Sequence, residues 1–205
     1  MAGNNLAQDE QIVTILLLGD PGCGKTTFLS SLKSNLRRYQ GQGHSQGNLD
    51  RETLLRDSDQ PFIYEIRFSK RSFTLEVYDT ASPNQHWSTL QPDVILLAFD
   101  ISNRDTLNNL RNWRNDITRY FQNGYGERIP IMLIGLKRDL RVESDGIIYP
   151  QESYRIAQEL RCDRYAECSA VTEELLPETF EDIARLAGMT TTAAGGQTAG
   201  ACVIL

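Results

Sequence analysis

Residues 16–27 read LLLGDPGCGKTT: an aliphatic run, glycines set among small residues, then a lysine and two hydroxyls. Gly19 to Thr26 fits G-x-x-x-x-G-K-[ST] in full. An apolar, β-branched run (IVTILLLG, residues 12–19) precedes it and a helical pattern beginning at Lys25 follows. With strand, loop and helix all in place, the stretch reads as a phosphate loop rather than a chance glycine-rich turn. Glycines let the backbone curl around a phosphate and aim several N–H groups at it. The positive end of the helix adds to the attraction. The candidate binding residues are therefore Gly19, Asp20, Pro21, Gly22, Cys23, Gly24, Lys25, Thr26 and Thr27. Lys25 is placed to reach the outer phosphates and the Thr26 hydroxyl to ligate Mg2+.

Outward from this loop, apolar runs alternate with amphipathic stretches, the pattern of a parallel sheet with crossover helices. FIYEIRFSKRSFTLEVYD (residues 62–79) predicts a hairpin about a Ser-Lys-Arg-Ser turn. DVILLAFDI (93–101) and IPIMLIG (129–135) predict two buried strands, and RYAECSA (164–170) a short strand and loop. Helices are expected over residues 25–38 and 106–121, from Pro150 onward, and over ETFEDIARLA. Asp79 closes a strand neighbouring the loop strand, where an acid meets Mg2+ through a bound water. YQGQGHSQGNLDRE breaks all periodicity and predicts a long surface loop.

Composition narrows the function classes. A length of 205 residues suits one domain, and the net charge of -6 argues against a nucleic-acid partner, which would call for a basic face. Cys23, Cys162, Cys168 and Cys202 have neither metal-ligand spacing nor a disulfide framework. No signal-like or membrane-spanning run is present, so a cytoplasmic chain is expected. His44 and His86 read as solvated, Cys162, Cys168 and Trp113 as core. Cys23 reads as space-filling, although the helix N-terminus could lower its pKa.

GDPGCGKT, VYDTA, LIGLKRDL, ECSA and a terminal CVIL occur in this order. With them the chain resembles a Ras-superfamily small GTPase, and DVILLAFDISNRDTLNNL, KRDLR and YAECSA are most similar to the Rho branch. The resemblance implies a P-loop NTPase (G-domain) fold: an α/β domain with a mostly parallel six-stranded sheet, one antiparallel edge strand and helices on both faces. It implies a G domain over residues 12–187, with a flexible N-terminus expected over 1–11; residues 188–205, rich in Gly, Ala and Thr and without a charged side chain, predict a flexible tail. It also implies a monomeric switch that binds GTP or GDP with Mg2+ and engages effector and regulator proteins. Asp139 would accept hydrogen bonds from the guanine edge, Lys137 would pack on the base, and Ser169 and Ala170 would line it. Thr53 is the best candidate for the remaining Mg2+ ligand beside Thr26 and Asp79, with Ser58 second. Tyr39 reads equally as a cover for the ribose or base and as an exposed loop residue.

Several positions depart from the family pattern. Leu136 stands where the guanine motif has asparagine, and cannot make that residue's hydrogen bonds, each worth about 1 kcal/mol. Val171 replaces a lysine. The D-T-A-G-Q segment reads Asp79-Thr80-Ala81-Ser82-Pro83, so a proline replaces the glutamine that orients the attacking water. Gln85, two residues on, could in principle substitute, but no geometric reason to expect it is found in the sequence. Pro21 replaces a glycine near the water's path. The expectation is nucleotide binding with slow or absent hydrolysis. The stretch between Asp139 and Pro150 is too short for the helix that Rho proteins insert there.

CVIL fits the C-a-a-X pattern, with Cys202 the prenylation site and Leu205 favouring geranylgeranyl. That implies association with the cytoplasmic face of a membrane, the plasma membrane being one candidate. No basic run or second tail cysteine accompanies it, so attachment is expected to be reversible or carrier-assisted. Trp87 fits a partner-binding aromatic or packing on the sheet. The alternative to a switch is a non-hydrolysing interaction module. A phosphate-loop kinase is disfavoured, since no arginine-rich lid segment is found.

Overall fold

Strand β1 (Gln11–Gly19) lies at the centre of the sheet because Val13 and residues 15–19 are all buried. The computed structural model describes residues 11–39, 60–68, 71–79, 89–121, 128–143 and 146–191. On one side β1 pairs in parallel with β3 (Arg71–Asp79), whose outer edge carries the antiparallel β2 (Phe62–Phe68). On the other side it pairs in parallel with β4 (Val94–Asp100), followed by β5 (Ile131–Leu136) and β6 (Arg164–Glu167). The order is β2-β3-β1-β4-β5-β6, so the expected six-stranded, mostly parallel sheet is present.

Alternation along the strands sorts the core onto two faces. Val13, Ile15 and Leu17 pack with Phe28, Leu29 and Leu32 of α1 (Lys25–Tyr39) and with Ile183 and Leu186 of α4 (Leu176–Thr190). Leu16 and Leu18 face the other way, onto Leu107 and Leu110 of α2 (Arg104–Phe121) and Ile156 of α3 (Pro150–Glu159). Among the described residues, no helix is long and apolar enough to cross a membrane.

The element ends differ in places from the sequence expectation. The hairpin pairs as far as Phe68↔Arg71, so Arg71 and Ser72 belong to the strand rather than to the turn. β1 begins at Gln11, and α4 continues to Thr190, each reaching beyond the 12–187 bounds. The Thr190 and Thr191 hydroxyls donate to the Ala187 and Gly188 carbonyls, which carries the helix past a glycine read as the start of the tail. Among the described residues between Leu140 and Pro150 no helix occurs, in keeping with the short spacing there.

Because β3, β1, β4, β5 and β6 run in parallel, their carboxyl ends meet along one edge. The register sets Leu17 beside Asp79, Gly19 beside Ala98, Asp100 beside Leu136 and Gly135 beside Glu167. Chain order reverses about β1, and open α/β sheets place ligands in the crevice beyond the strand ends at such a point.

Candidate phosphate and base site

Gly19, Gly22 and Gly24 take φ values of +149°, +76° and +105°, where a side chain would be strained. At Gly19 an added Cβ would also lie 2.3 Å from the Ala98 carbonyl oxygen, so the loop leaves β1 pressed against β4. Lys25 is buried, and its Nζ donates to the carbonyls of Gly19 (2.9 Å) and Asp20 (3.1 Å). The ammonium is thereby held inside the curve of the loop. Pro21 and Gly22 are exposed at its tip, and Thr27 is exposed on the first turn of α1. That turn contains no acidic side chain, so its positive end faces the loop without a competing carboxylate.

One acid does sit in the loop. Asp20 Oδ1 accepts hydrogen bonds from Asn109 Nδ2 (2.6 Å) and Trp113 Nε1 (2.7 Å), both on α2. These neutral donors hold the carboxylate toward the helix. Trp113 is therefore core by burial, as expected, and an anchor for the loop by its ring N–H. Cys23 is buried, and burial pushes its thiol above the ordinary value despite the opposing charge of Lys25. Desolvation outweighs the lowering that its place before a helix suggests.

Thr26 Oγ1 donates to Asp79 Oδ2 at 2.9 Å. A hydroxyl and a carboxylate together form a hard-oxygen donor pair of the kind Mg2+ takes. The donor set therefore fits that ion, with Thr26 and Asp79 as the residues that would hold it.

The base end is built from two loops. Lys137, in the left-handed region at φ 60°, precedes a 3-10 turn, Arg138–Leu140. Its Nζ donates to the Gly22 carbonyl (2.7 Å) and pairs with the buried Asp100 Oδ2 (2.6 Å), tying this turn to the phosphate loop. Asp139 is exposed, and its Oδ1 accepts from Ser169 Oγ at 2.5 Å. Ser169 Oγ in turn accepts from the amides of Val171 and Thr172. The Ala170 carbonyl accepts from Ser31 Oγ, which fastens the second loop to α1. Leu136 is 2% exposed and belongs to the apolar cluster between the sheet and α1 and α4. Val171 is 69% exposed.

Beneath these loops lies a charged cluster around Glu167, the last residue of β6. Its carboxylate takes a two-pronged contact from Arg141 (2.6 and 2.7 Å), a third bond from Arg138 Nη1 (3.1 Å) and the Tyr165 hydroxyl. Burial alone would raise its pKa. The Arg141 and Tyr165 hydrogen bonds and the Arg141 and Arg138 charges outweigh that and hold Glu167 below the usual carboxylate range.

The expected site residues 19–27, Asp79, Lys137, Asp139, Ser169 and Ala170 thus share one edge of the sheet. Thr53, Ser58, Thr80, Ala81, Ser82, Pro83, Gln85, Trp87, His44, His86 and Cys202 lie outside the described residues, as does the Tyr39 side chain. The sequence reading misses Asn109, Trp113 and Asp100 as supports of the loops, and Glu167 with its arginines. Their partners lie from 26 to 93 residues away, and no local pattern links them.

A phosphate loop at the end of a central parallel strand, a hydroxyl–carboxylate pair beside it and an acid-bearing base loop define an α/β nucleotide-binding protein of the phosphate-loop class. The Ras family model matches residues 14–188, and the chain belongs to the Ras family. Its relatives include the GTP-binding protein RHO2 of Saccharomyces cerevisiae, 27% identical over 82% of this chain and 84% of the relative. The Rho-related protein racM of Dictyostelium discoideum is 27% identical over 85% and 89%. The human Rho-related GTP-binding protein RhoF is 25% identical over 84% and 81%. The chain is a divergent, Rho-like member.

Proposed function

We propose that the protein is a signalling switch that binds GTP and GDP with Mg2+ at this edge of the sheet and hydrolyses GTP slowly or not at all. The observation that carries the guanine reading is the Ser169 bond to Asp139, which holds a carboxylate acceptor at the base end while Lys137 ties that end to the phosphate loop. A carboxylate has two oxygens that accept and none that donates, so it matches the paired donors of guanine and not adenine. Gly19, Lys25 and the Thr26–Asp79 pair supply the phosphate and Mg2+ end. Slow hydrolysis follows from Pro21 and Pro83 in place of the family's residues. Cys202 would carry a geranylgeranyl group that brings the switch to the cytoplasmic face of a membrane, where effector and regulator proteins meet it.

The buried Leu136 and exposed Val171 favour a second reading, an interaction module without turnover. Competition binding of GDP, GTP and ADP, followed by single-turnover hydrolysis, separates the two. The switch reading expects guanine nucleotides to bind at least tenfold tighter than ADP, with Mg2+ strengthening GTP. It also expects turnover below roughly 10⁻⁴ per second, under the intrinsic rate of an ordinary small GTPase. Faster turnover would remove the module, and no guanine preference would remove the switch.

A further inference from the structure

The amino-terminal ends of the parallel strands form the edge opposite the nucleotide site, and arginines gather at one corner of it. Arg128 lies three residues before β5, and Arg161 three residues before β6. Arg128 Nη2 donates to the Arg161 carbonyl (2.6 Å), and Arg114 Nε, on α2, donates to the neighbouring Leu160 carbonyl (2.9 Å). Two guanidinium groups thus converge on the turn that carries a third. Asp163 meets Arg128 at 3.0 Å but also accepts from the Ile131 amide (2.8 Å). Burial lowers the Arg114 pKa, and the charges of Arg128 and Arg161 add to that lowering, against the opposing pull of Cys162 and Asp163. The Arg128 side chain is 54% exposed, and Arg161 and Arg164, the first residue of β6, are exposed as well.

The segment that leads to Cys202 starts from the same edge. Gln11, the first residue of β1, donates from Nε2 to the Thr191 carbonyl (3.4 Å). Only β4 stands between β1 and β5, which sets those two strands about 10 Å apart. Residues 192–201 separate Thr191 from Cys202. At no more than about 3.5 Å per residue they reach at most about 38 Å, so a lipid on Cys202 and the arginines can meet one flat surface. Residues 188–205 contain no charged side chain, whereas stable membrane residence takes two signals. We propose that Arg114, Arg128, Arg161 and Arg164 form a contact for anionic lipid headgroups, supplying from the folded domain the second membrane signal that the tail lacks. This rests on the prenylation of Cys202 given above. The chain as a whole carries a net charge of -6, so repulsion from an anionic leaflet is least with this corner turned toward it. In that pose the nucleotide edge faces away from the bilayer, open to exchange and to protein partners.

The test uses the full chain, geranylgeranylated on Cys202 by the transferase, and sedimentation with vesicles of phosphatidylcholine alone or with about 30% phosphatidylserine. The unaltered chain is compared with the double variant Arg161→Gln, Arg164→Gln and with Arg104→Gln, a control at the carboxyl edge beside Glu152. Phosphatidylserine is expected to strengthen binding of the unaltered chain more than tenfold, and raising salt from about 0.1 M to 0.5 M to remove the gain. The double variant should lose about tenfold of that gain, close to the effect of two surface charges, while keeping its binding to phosphatidylcholine. Arg104→Gln should change neither by more than about twofold. No gain from phosphatidylserine, or a gain the double variant keeps, would overturn the proposal. So would a variant that loses heparin binding with its vesicle binding unchanged, which would assign the corner to an acidic polymer. If the double variant does not fold, Arg164→Gln alone decides, with about a threefold loss expected. If Cys202 accepts no prenyl group, the prenylation reading fails by itself. The unlipidated chain at high lipid then decides the contact: sedimentation with phosphatidylserine vesicles that the double variant lacks supports it, and none refutes it.

Discussion

The two ends of the site are held by different means. The phosphate end is a matter of backbone: three glycines at positive φ, one of them packed against a neighbouring strand, and a lysine bonded to main-chain carbonyls. The base end is a matter of side chains meeting side chains: Ser169 on Asp139, Lys137 on Asp100, and Arg138 and Arg141 on Glu167. Backbone geometry admits few substitutes, because a glycine at positive φ has no ready replacement. Side-chain ties can be exchanged for others of equal reach. That contrast accounts for a complete phosphate motif beside a base motif that has lost its asparagine.

The contrast can be broken in graded steps. Gly19→Ala should have the largest effect, since its Cβ would meet the Ala98 carbonyl at 2.3 Å. A loss of about 4 kcal/mol predicts a melting temperature lower by roughly 10 °C, read by thermal denaturation. Lys25→Met should leave melting within a few degrees while raising the Kd for GDP about a hundredfold, close to 2.7 kcal/mol. A binding titration checks it, and an unchanged Kd would remove Lys25 from the phosphate end. Ser169→Ala removes the bond to Asp139 and the acceptor for two amides. The expected cost is about tenfold in GDP affinity with a smaller change for ADP.

Leu136→Asn sharpens the comparison from the other side. An amide placed among the apolar side chains around Leu136 should lower stability by about 1–2 kcal/mol. The regained hydrogen bond is worth about 1 kcal/mol, so GDP affinity should rise less than tenfold. The smallest effect concerns pH. Because the folded-state pKa of Glu167 is depressed below 4.5, its stabilisation is complete above that value and is lost as pH falls through the folded pKa. The melting difference between the unaltered chain and Glu167→Gln should therefore be constant from pH 7 to about 5 and close below 4.5. A difference that widens on acidification would contradict the sign.

Much of the fold and of the phosphate end is legible in the sequence, and for a physical reason. The loop Gly19 to Thr26 is local, so its strand, turn chemistry and helix start lie within one short stretch. Asp79 ends one strand and Asp139 closely follows another, and the apolar runs of both strands are themselves plain. What the sequence does not disclose joins distant residues. Trp113 reads as core, and nothing near it in sequence points to Asp20, 93 residues away. Glu167 reads as one letter of ECSA, since Arg138 and Arg141 find it only when β5 and β6 pair. The direction of the Cys23 shift is hidden too, because burial, which decides its pKa, is a property of the packed loop.

The central claim is that this edge of the sheet holds a guanine nucleotide. The most direct measurement is to purify the full chain without added nucleotide, denature it and identify the released bases. About one guanine nucleotide per chain, with GTP persisting, is the predicted result. GDP alone would keep the guanine claim and send the hydrolysis claim to a single-turnover assay. Adenine nucleotide, or none together with no GDP binding on titration, would contradict the account.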